Sequence, residues 1–572
     1  MSESTHMNTL IISLLLMPAI IFSQSQYRFF INNINMPMDN KGIMADVQLL
    51  DGQGGLYNNI EFLYSGGFWL SGYNGDSLWA NAQATASQME NYIPGKVGSD
   101  PNDPLNKVYV VDKDDPPFGT SWQEWIDAVQ LGADFYDGDN DGVYNPIDLN
   151  VNNIWDPNED RPDIIGDRIA WCVYNDVNTS TNNTKPFGNH TQGIEIQQSV
   201  FGYRTESSTQ LNDVIFIRYK IINSGLQNAV LDSVYFTAWA DADLGIESAD
   251  DLVGCDTMIN SGYVYNSQLD PYYNQDPTYF INLLQGAPNY IPGITFIDVN
   301  SNGYYDNGID TPLDSAYNYL GPLRGIELIP GAVNNQMTSF MLNTRFDYNF
   351  TMEPDSVKEV RYFMNGYDRK GFIIDPCSYF GGLVLGGINC NTINPKYMFS
   401  GSPEIMSGWV GSYPDDIRLC VNSGPFKLIE NEPITIIVAY TLGLGSSPTN
   451  SVTVGKLQSQ FVQEFYESNF DDNLVSVEDE ISNTPTEFFL YQNYPNPFNP
   501  STTISWQSPV SGHQTLKIYD VLGNEVATLV NEFRNSGSYE VDFNASSLSS
   551  GIYFYKLQAG DFVQTRKMLM LK

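Results

Sequence analysis

Short apolar runs rich in aromatic and β-branched residues, a pattern typical of β-strands, recur along most of the chain. The clearest runs are residues 60–70, 213–223, 231–239 and 434–440, and a shorter one covers residues 360–364. Segments rich in glycine, asparagine and proline separate them. The pattern predicts a mostly β fold with a large antiparallel β-sandwich core, in which residues 213–223 pair with residues 231–239.

Helical periodicity is confined to few stretches, so we expect only short helices. Apolar residues recur at helical spacing after a capping box formed by Ser121 and Glu124. A second apolar stripe lies within residues 454–468 and consists of Leu457, Phe461, Val462 and Phe465. A run of small residues, 80–89, predicts a third helix. The acidic, aperiodic residues 471–486 are typical of a linker that ends the core.

The first apolar run, residues 10–22, is too short for a comfortable transmembrane helix and has the position of a secretory signal. We expect a signal peptide at residues 1–25 that directs the chain through the Sec pathway into the periplasm. No lysine or arginine precedes the apolar run, which departs from the usual pattern. No later stretch approaches the roughly 20 apolar residues of a membrane span. The mature chain is therefore not expected to be an integral membrane protein.

Residues 487–572 form a β-rich unit of their own. Pro495, Pro497 and Pro500 exclude a helix or a central strand and favour an extended entry into this unit. Alternating runs follow at short intervals, with turn residues between them. This spacing predicts a small antiparallel sandwich.

Four motifs of this unit occur in order: the entry YPNPFNPSTTI, the runs LKIYDVLGNEVATL and SSGIYFYKL, and a basic, hydrophobic terminus. Together they resemble the C-terminal sorting domain, type A, of the type IX secretion system. The same core resembles the immunoglobulin-like module of the flagellar hook-capping protein. The resemblance covers residues 487–572 and implies recognition by the type IX translocon and sorting machinery. It also implies cleavage of the domain, followed by release or attachment to surface lipopolysaccharide.

Residues 137–159 carry the spacing of two calcium loops. Oxygen-bearing side chains fall at positions 1, 3, 5, 9 and 12, with Gly142 at the sharp turn and Val143 at position 7. The register repeats from Asp148, which both loops share, with Asn153 where glycine is usual. This overlap resembles thrombospondin type 3 or dockerin-type loops. The predicted ligands are Asp137, Asp139, Asp141, Val143, Asn145 and Asp148 in the first loop, and Asp148, Asn150, Asn152, Asp156 and Glu159 in the second.

A third loop is predicted within residues 298–314. It keeps the register up to position 9, but Ile309 occupies position 12, so either Asp310 at position 13 or Asp314 is expected to take its place. The predicted ligands are Asp298, Asn300, Asn302, Tyr304, Asp306 and Asp310. Ca²⁺ takes about six to eight hard oxygen ligands, so it is the expected cofactor.

Charge separates the last unit from the rest of the chain. The net charge is −40, yet the six basic and seven acidic residues from Thr486 onward contribute only −1. The acidic remainder repels nucleic acid and suits divalent cations. Only three histidines occur, which argues against a histidine-rich zinc site and against a histidine-dependent protease. Of the five cysteines, Cys377 and Cys390 are the first expected disulfide.

A further acidic cluster contains Asp241, Asp243, Asp250 and Asp251. It leaves two interpretations open: a calcium or structural site, or a carboxylate pair for the acid–base chemistry of a carbohydrate-active hydrolase. No catalytic residue is assigned, and a non-enzymatic role is the better expectation.

The leading hypothesis is a secreted or cell-surface, calcium-stabilised β-protein with a structural, adhesive or binding role. The expected organisation is a signal peptide (1–25), a β-rich cargo region of one or two subdomains (26–470) with calcium loops (137–159 and 298–314), an acidic linker (471–486) and a sorting domain (487–572).

Overall fold

The structure is a computed structural model that describes residues 25–46, 52–85, 91–179, 187–188, 190–204, 209–245, 249–269, 276–344, 347, 350–471, 489–490, 493, 498–508, 512–521, 523–534, 537–546, 548–559 and 562–570. The predicted signal peptide up to residue 24 and the linker from residue 472 onward lie outside the described residues. The chain divides into two compact units, Met1–Asp472 and Asn473–Lys572.

Strands dominate the described part of the first unit. They are β1 (Gln26–Phe30), β2 (Ile34–Asp39), β3 (Gly55–Tyr57), β4 (Ile60–Leu63), β5 (Ser65–Asn74), β6 (Ser77–Ala82), β7 (Ile93–Pro94), β8 (Tyr109–Asp112), β9 (Phe135–Tyr136), β10 (Arg161–Pro162), β11 (Arg168–Asn175), β12 (Ile194–Gly202), β13 (Val214–Asn223), β14 (Val230–Asp241), β15 (Asp251–Asp256), β16 (Ser261–Asn266), β17 (Pro277–Gln285), β18 (Pro288–Asn289), β19 (Phe296–Ile297), β20 (Thr311–Pro312), β21 (Ser315–Tyr319), β22 (Ile326–Pro330), β23 (Val333–Asn334), β24 (Met337–Thr344), β25 (Gly382–Leu385), β26 (Gly408–Gly411), β27 (Ile417–Ile429) and β28 (Ile434–Leu444). The α-helices are α1 (Thr120–Gln130), α2 (Val357–Met364) and α3 (Pro448–Glu467).

Two antiparallel sheets form the body of this unit. One has the order β15-β16-β17-β28-β13-β12-β11-β7, with β8 also paired to β11, and the other has the order β24-β27-β14-β5-β6. The sheets face each other, because the ring of Phe68 in β5 packs on Tyr219 of β13 as well as on Phe236 of β14. One continuous apolar core lies between them. The predicted mostly β fold with a large antiparallel sandwich is confirmed.

The central strands are apolar on both faces because both faces are covered. In β13, Tyr219 points into the sandwich, while Phe216 on the opposite face packs against Phe465 of α3. A strand buried on both sides loses strict alternation and reads as a nearly continuous apolar run. This explains the sequence VIFIRYKIIN of that strand.

The predicted pairing of residues 213–223 with residues 231–239 is wrong. Both segments are strands, but β13 pairs with β12 and β28, whereas β14 pairs with β5 and β27 in the opposite sheet. Periodicity identifies a strand but carries no information about which distant strand lies beside it.

Several helix boundaries also differ from expectation. Residues 360–364 lie in α2 and not in a strand. Helix α1 is preceded by Gly119 and has no side-chain cap, so the predicted capping box at Ser121 does not form. The predicted helix over residues 80–89 is a strand at its start, in β6, and residues 86–90 lie outside the described part of the chain.

The described part of the second unit consists of two small sheets. Its strands are β29 (Phe489–Leu490), β30 (Ser501–Ser508), β31 (Gly512–Tyr519), β32 (Glu525–Arg534), β33 (Gly537–Asn544), β34 (Gly551–Ala559) and β35 (Phe562–Met570). The sheet orders are β29-β30-β33 and β32-β31-β34-β35, around an apolar core that includes Trp506 and Tyr555. The predicted immunoglobulin-like sandwich is confirmed.

The predicted disulfide joins Cys377 and Cys390, and Cys172, Cys255 and Cys420 are free and buried. Among the described residues, no helix has both the length and the apolar character that crossing a bilayer requires.

Candidate metal centres

The three predicted loops share one hydrogen-bond scheme, which begins at position 1. The carboxylate there accepts hydrogen bonds from the backbone amides at positions 5 and 6, with distances of 2.6 to 3.2 Å. The chain therefore turns tightly around this carboxylate. The residues at position 1 are Asp137, Asp148 and Asp298.

Position 6 has a left-handed backbone in all three loops, with φ values of 77° at Gly142, 60° at Asn153 and 80° at Gly303. Glycine adopts this conformation without strain, and asparagine is among the few other residues that tolerate it. The asparagine that departs from the usual motif in the second loop therefore still forms the same turn.

The oxygens of the first loop converge on one point. Carboxylate oxygens of Asp137, Asp139 and Asp160 lie within 4.8 Å of one another. Unit charges about 4 Å apart repel by about 4 kcal/mol at the effective dielectric constant of a protein surface. An oxygen-lined group of this kind has the chemistry that binds a hard divalent cation.

The second and third loops converge differently, because asparagine replaces aspartate at positions 3 and 5. The side-chain amides of these asparagines donate to the carboxylate at position 9, at 2.6 to 3.0 Å. These groups are Asn150, Asn152 and Asp156 in the second loop, and Asn300, Asn302 and Asp306 in the third. At position 7, Val143 and Tyr304 have exposed side chains, and their amides donate to the position-5 side chain at 2.7 and 2.8 Å.

A buried carboxylate closes each loop by accepting hydrogen bonds from the amides at positions 2 and 9, at 2.7 to 3.0 Å. Glu159 closes the second loop and Asp310 closes the third. In the first loop the closing residue is Asp160, and not the Asp148 that the spacing indicates. The second loop is thus nested inside the first, between Asn145 and Asp160.

Sequence reasoning missed Asp160 because it lies far beyond a twelve-residue loop. The signal that identifies it is the pair of adjacent acids, Glu159 and Asp160, both only 2% exposed. Two nested loops that end together need two closing carboxylates.

Aromatic side chains anchor the nested loops to α1 and β10. The hydroxyl of Tyr144 donates to the carbonyl of Trp122 in α1 at 3.1 Å. The guanidinium of Arg161 lies 4.7 Å from the ring centre of Trp155, whose indole N–H donates to the carbonyl of Glu159 at 2.9 Å. The closing residues are therefore held by packing as well as by the loops themselves.

The fourth acidic cluster lies at one end of the sandwich. Carboxylate oxygens of Asp241, Asp243 and Asp416 lie within 4.8 Å of one another. Burial raises the pKa of Asp241 to about 8 and that of Asp243 to about 6, although the nearby Arg418 lowers both. Asp241 and Asp251 are only 2% and 0% exposed. A general acid must reach its substrate, so this geometry does not support a catalytic carboxylate pair here.

A cavity of about 460 Å³ opens beside this cluster. Aromatic side chains form much of its wall, and Asp347 and Asp415 are its acidic residues. The disulfide between Cys377 and Cys390 closes the loop that carries Tyr379 and Phe380, two of the aromatic residues in the wall.

Comparison with known families identifies the C-terminal unit. Residues 492–571 match the family described as the secretion system C-terminal sorting domain. A domain of this kind implies export to the cell surface or the medium and interaction with the type IX secretion machinery. No curated protein matches the chain.

Proposed function

We propose that this protein is a calcium-stabilised β-sandwich cargo of the type IX secretion system, with a structural, adhesive or binding role outside the cell. The match of residues 492–571 to the sorting domain is the observation that carries the proposal. The route begins with a Sec signal peptide at residues 1–25 and passes through the periplasm. Cleavage in the linker at residues 471–486 then releases the cargo or leaves it attached to surface lipopolysaccharide.

Calcium binding by the three loops is supported by their shared geometry. Each loop carries three or four carboxylates, and those at position 1 and at the closing position accept hydrogen bonds from the same set of backbone amides. A divalent cation offsets the repulsion within each group. Calcium is scarce in the cytoplasm, so the loops fill once the chain has left it. The predicted ions would hold the loop insertions, residues 137–159 and 298–314, in a fixed conformation, because these insertions have little apolar core of their own.

Export is tested by deleting residues 565–572 in a host with the type IX system. These residues include most of β35, which contributes Met568 and Met570 to the core of the sorting unit. We expect the shortened chain to stay in the periplasm. Its continued appearance on the surface or in the medium would refute the export proposal.

Deleting most of β35 also disturbs the fold of the sorting unit, so a gain-of-function experiment is needed beside it. Residues 487–572 are fused to a periplasmic reporter that is not normally exported. The reporter should reach the surface in the wild-type host and remain periplasmic in a strain that lacks the translocon. A reporter that stays inside both strains argues against export.

A second candidate function, a carbohydrate-active hydrolase, is favoured by one observation. Asp347 and Asp415 both border the aromatic cavity, and burial raises the pKa of Asp415 although the backbone amide of Asp416 lowers it. Paired carboxylates of this kind are the groups that glycoside hydrolysis uses. The test is release of reducing sugar from a panel of polysaccharides. Activity that Asp415→Asn abolishes supports the hydrolase, and the same activity in that variant excludes this pair.

A further inference from the structure

The acidic cluster at the end of the sandwich joins segments from both sheets. Asp241 is the last residue of β14, and Asp416 immediately precedes β27, the neighbour of β14 in one sheet. Asp251 is the first residue of β15, the edge strand of the other sheet. A backbone bridge between Asp251 and Asp415 brings the two sheets together at this point.

The cluster contains more negative charge than its protein partners neutralise. Arg418 forms ion pairs with Asp241 at 2.8 Å and with Asp416 at 2.9 Å. The Nε–H of Arg418 makes no aligned hydrogen bond to Asp241, since both atoms lack a hydrogen-bond partner among the described residues. One guanidinium therefore faces four carboxylates, counting Asp243 and Asp251.

Asp251 supplies an independent observation. It is 0% exposed, and within the described chain neither of its carboxylate oxygens has a partner at good hydrogen-bond geometry. Burial and the charges of Asp243 and Asp250 raise the pKa of Asp251, and the backbone amide of Leu244 lowers it. It lies next to the cluster, because its backbone pairs with that of Asp415, the neighbour of Asp416, and the charges of Asp243 and Asp416 both raise its pKa. An ionised carboxylate buried without a partner costs several kcal/mol, so the protein should provide a counter-charge here.

The donor set indicates the class of that counter-charge. All four groups are carboxylates, which are hard oxygen ligands, and no histidine or cysteine belongs to the group. Hard oxygen ligands favour Ca²⁺ or Mg²⁺ over zinc or copper. Mg²⁺ usually retains several waters and is seldom held by an all-protein cage, whereas Ca²⁺ accepts several carboxylates in irregular geometry.

We propose that Asp241, Asp243, Asp251 and Asp416 bind a Ca²⁺ ion that fastens the two sheets of the sandwich to each other. The site is separate from the three loops, which lie in other segments of the chain. It goes beyond the proposed function, because it places a metal inside the sandwich and not in its loop insertions. A dication together with Arg418 leaves the four carboxylates with one excess negative charge.

The test uses the full cargo chain with the three loops disabled by Asp137→Ala, Asp148→Ala and Asp298→Ala. Equilibrium dialysis against Ca²⁺, followed by elemental analysis, should find one bound ion per chain. Adding Asp251→Asn should abolish this binding. Adding Asp256→Asn is the control, because Asp256 lies at the other end of β15 and pairs with Lys456. That variant should keep the ion.

Near-ultraviolet circular dichroism shows whether each variant is folded. If Asp251→Asn does not fold, Asp243→Asn replaces it, because Asp243 is only half-buried. Absence of bound Ca²⁺ in the folded loop-disabled chain, or retention of the ion in a folded Asp251→Asn or Asp243→Asn variant, overturns the proposal. If the three loops bind no calcium but this site does, the wild-type chain holds one ion, and the three loop substitutions leave that number unchanged. This result contradicts the proposed function without contradicting the inference made here.

Discussion

At the scale of single residues, the closing carboxylates matter most for the loops. The positions 1, 3, 5 and 9 could be predicted from spacing because they lie within nine consecutive residues. The closing residue of the first loop could not, because the chain completes the whole second loop before it returns at Asp160. Asp310 was predictable because the third loop has no insertion.

The nested arrangement predicts which substitutions remove which ion. Asp160→Ala leaves the amides of Gly138 and Asn145 without their acceptor and should abolish calcium binding in the first loop. Each lost acceptor costs about 1 to 3 kcal/mol, so the melting temperature should also fall. Asp148→Ala, the matched variant, should remove only the ion of the second loop. Calcium stoichiometry measures both. If Asp148→Ala removes two ions and Asp160→Ala removes none, Asp148 is shared and the nested arrangement is wrong.

At the scale of elements, apolar periodicity predicted the strands well and the short helices poorly. Residues 360–364 are mostly apolar, like a short strand, but the residues that start a helix lie just before them. The Ser356 side chain accepts the amide of Glu359, and the Glu359 carboxylate accepts the amide of Asp355, which together form a cap at the start of α2. A cap fixes where a helix begins more reliably than a five-residue apolar run does.

Removing this cap should destabilise the first unit modestly. Ser356→Ala deletes the acceptor for the Glu359 amide, and losses of this kind cost about 1 kcal/mol. Ser356→Asp keeps an acceptor at the same place and serves as the control. Urea unfolding followed by fluorescence measures the difference. Equal midpoints for Ser356→Ala and the wild type would show that the cap does not contribute.

The predicted apolar stripe of α3 was right for Val462 and Phe465 and wrong for Leu457, which is 63% exposed. The helix begins at Pro448, earlier than the stripe indicates, and one face packs on the large sheet. Periodicity shows which residues lie on one face of a helix. The angle at which the helix packs on the sheet decides which turns of that face are buried.

This difference predicts unequal effects of two truncations in the same helix. Phe465→Ala removes a ring that packs against Phe216 and Tyr203 and should cost about 3 to 5 kcal/mol. Leu457→Ala removes an exposed side chain and should change stability by no more than about 0.5 kcal/mol. Denaturant titrations of both variants provide the comparison. A large loss in Leu457→Ala would show that this face of α3 is covered.

At the scale of the whole molecule, two chemically different units share one chain. The net charge of −40 lies almost entirely before Thr486, together with every candidate calcium site, while the sorting unit is nearly neutral. The sorting motifs and the loop spacing could be read from the sequence because each depends on consecutive residues. The acidic cluster around Asp241 and Asp251 could also be read from the sequence, but Asp416 lies far along the chain, so only the fold brings it to Asp241 and Asp243.

The division between units predicts that calcium stabilises one of them and not the other. An ion present at about 100 times its dissociation constant contributes about 2.7 kcal/mol to the folded state. Several such ions should raise the melting temperature of the first unit by roughly ten degrees or more. The sorting unit has no predicted calcium loop, so its own transition is an internal control.

Differential scanning calorimetry of purified, uncleaved chain (residues 26–572), which retains the sorting unit, measures both transitions in one sample. Scans are compared in millimolar calcium and in excess chelator at the same ionic strength. The account predicts that chelation lowers the transition of the first unit by roughly ten degrees or more and leaves that of the sorting unit in place. A first-unit transition that is the same with and without chelator would contradict the calcium-stabilised account.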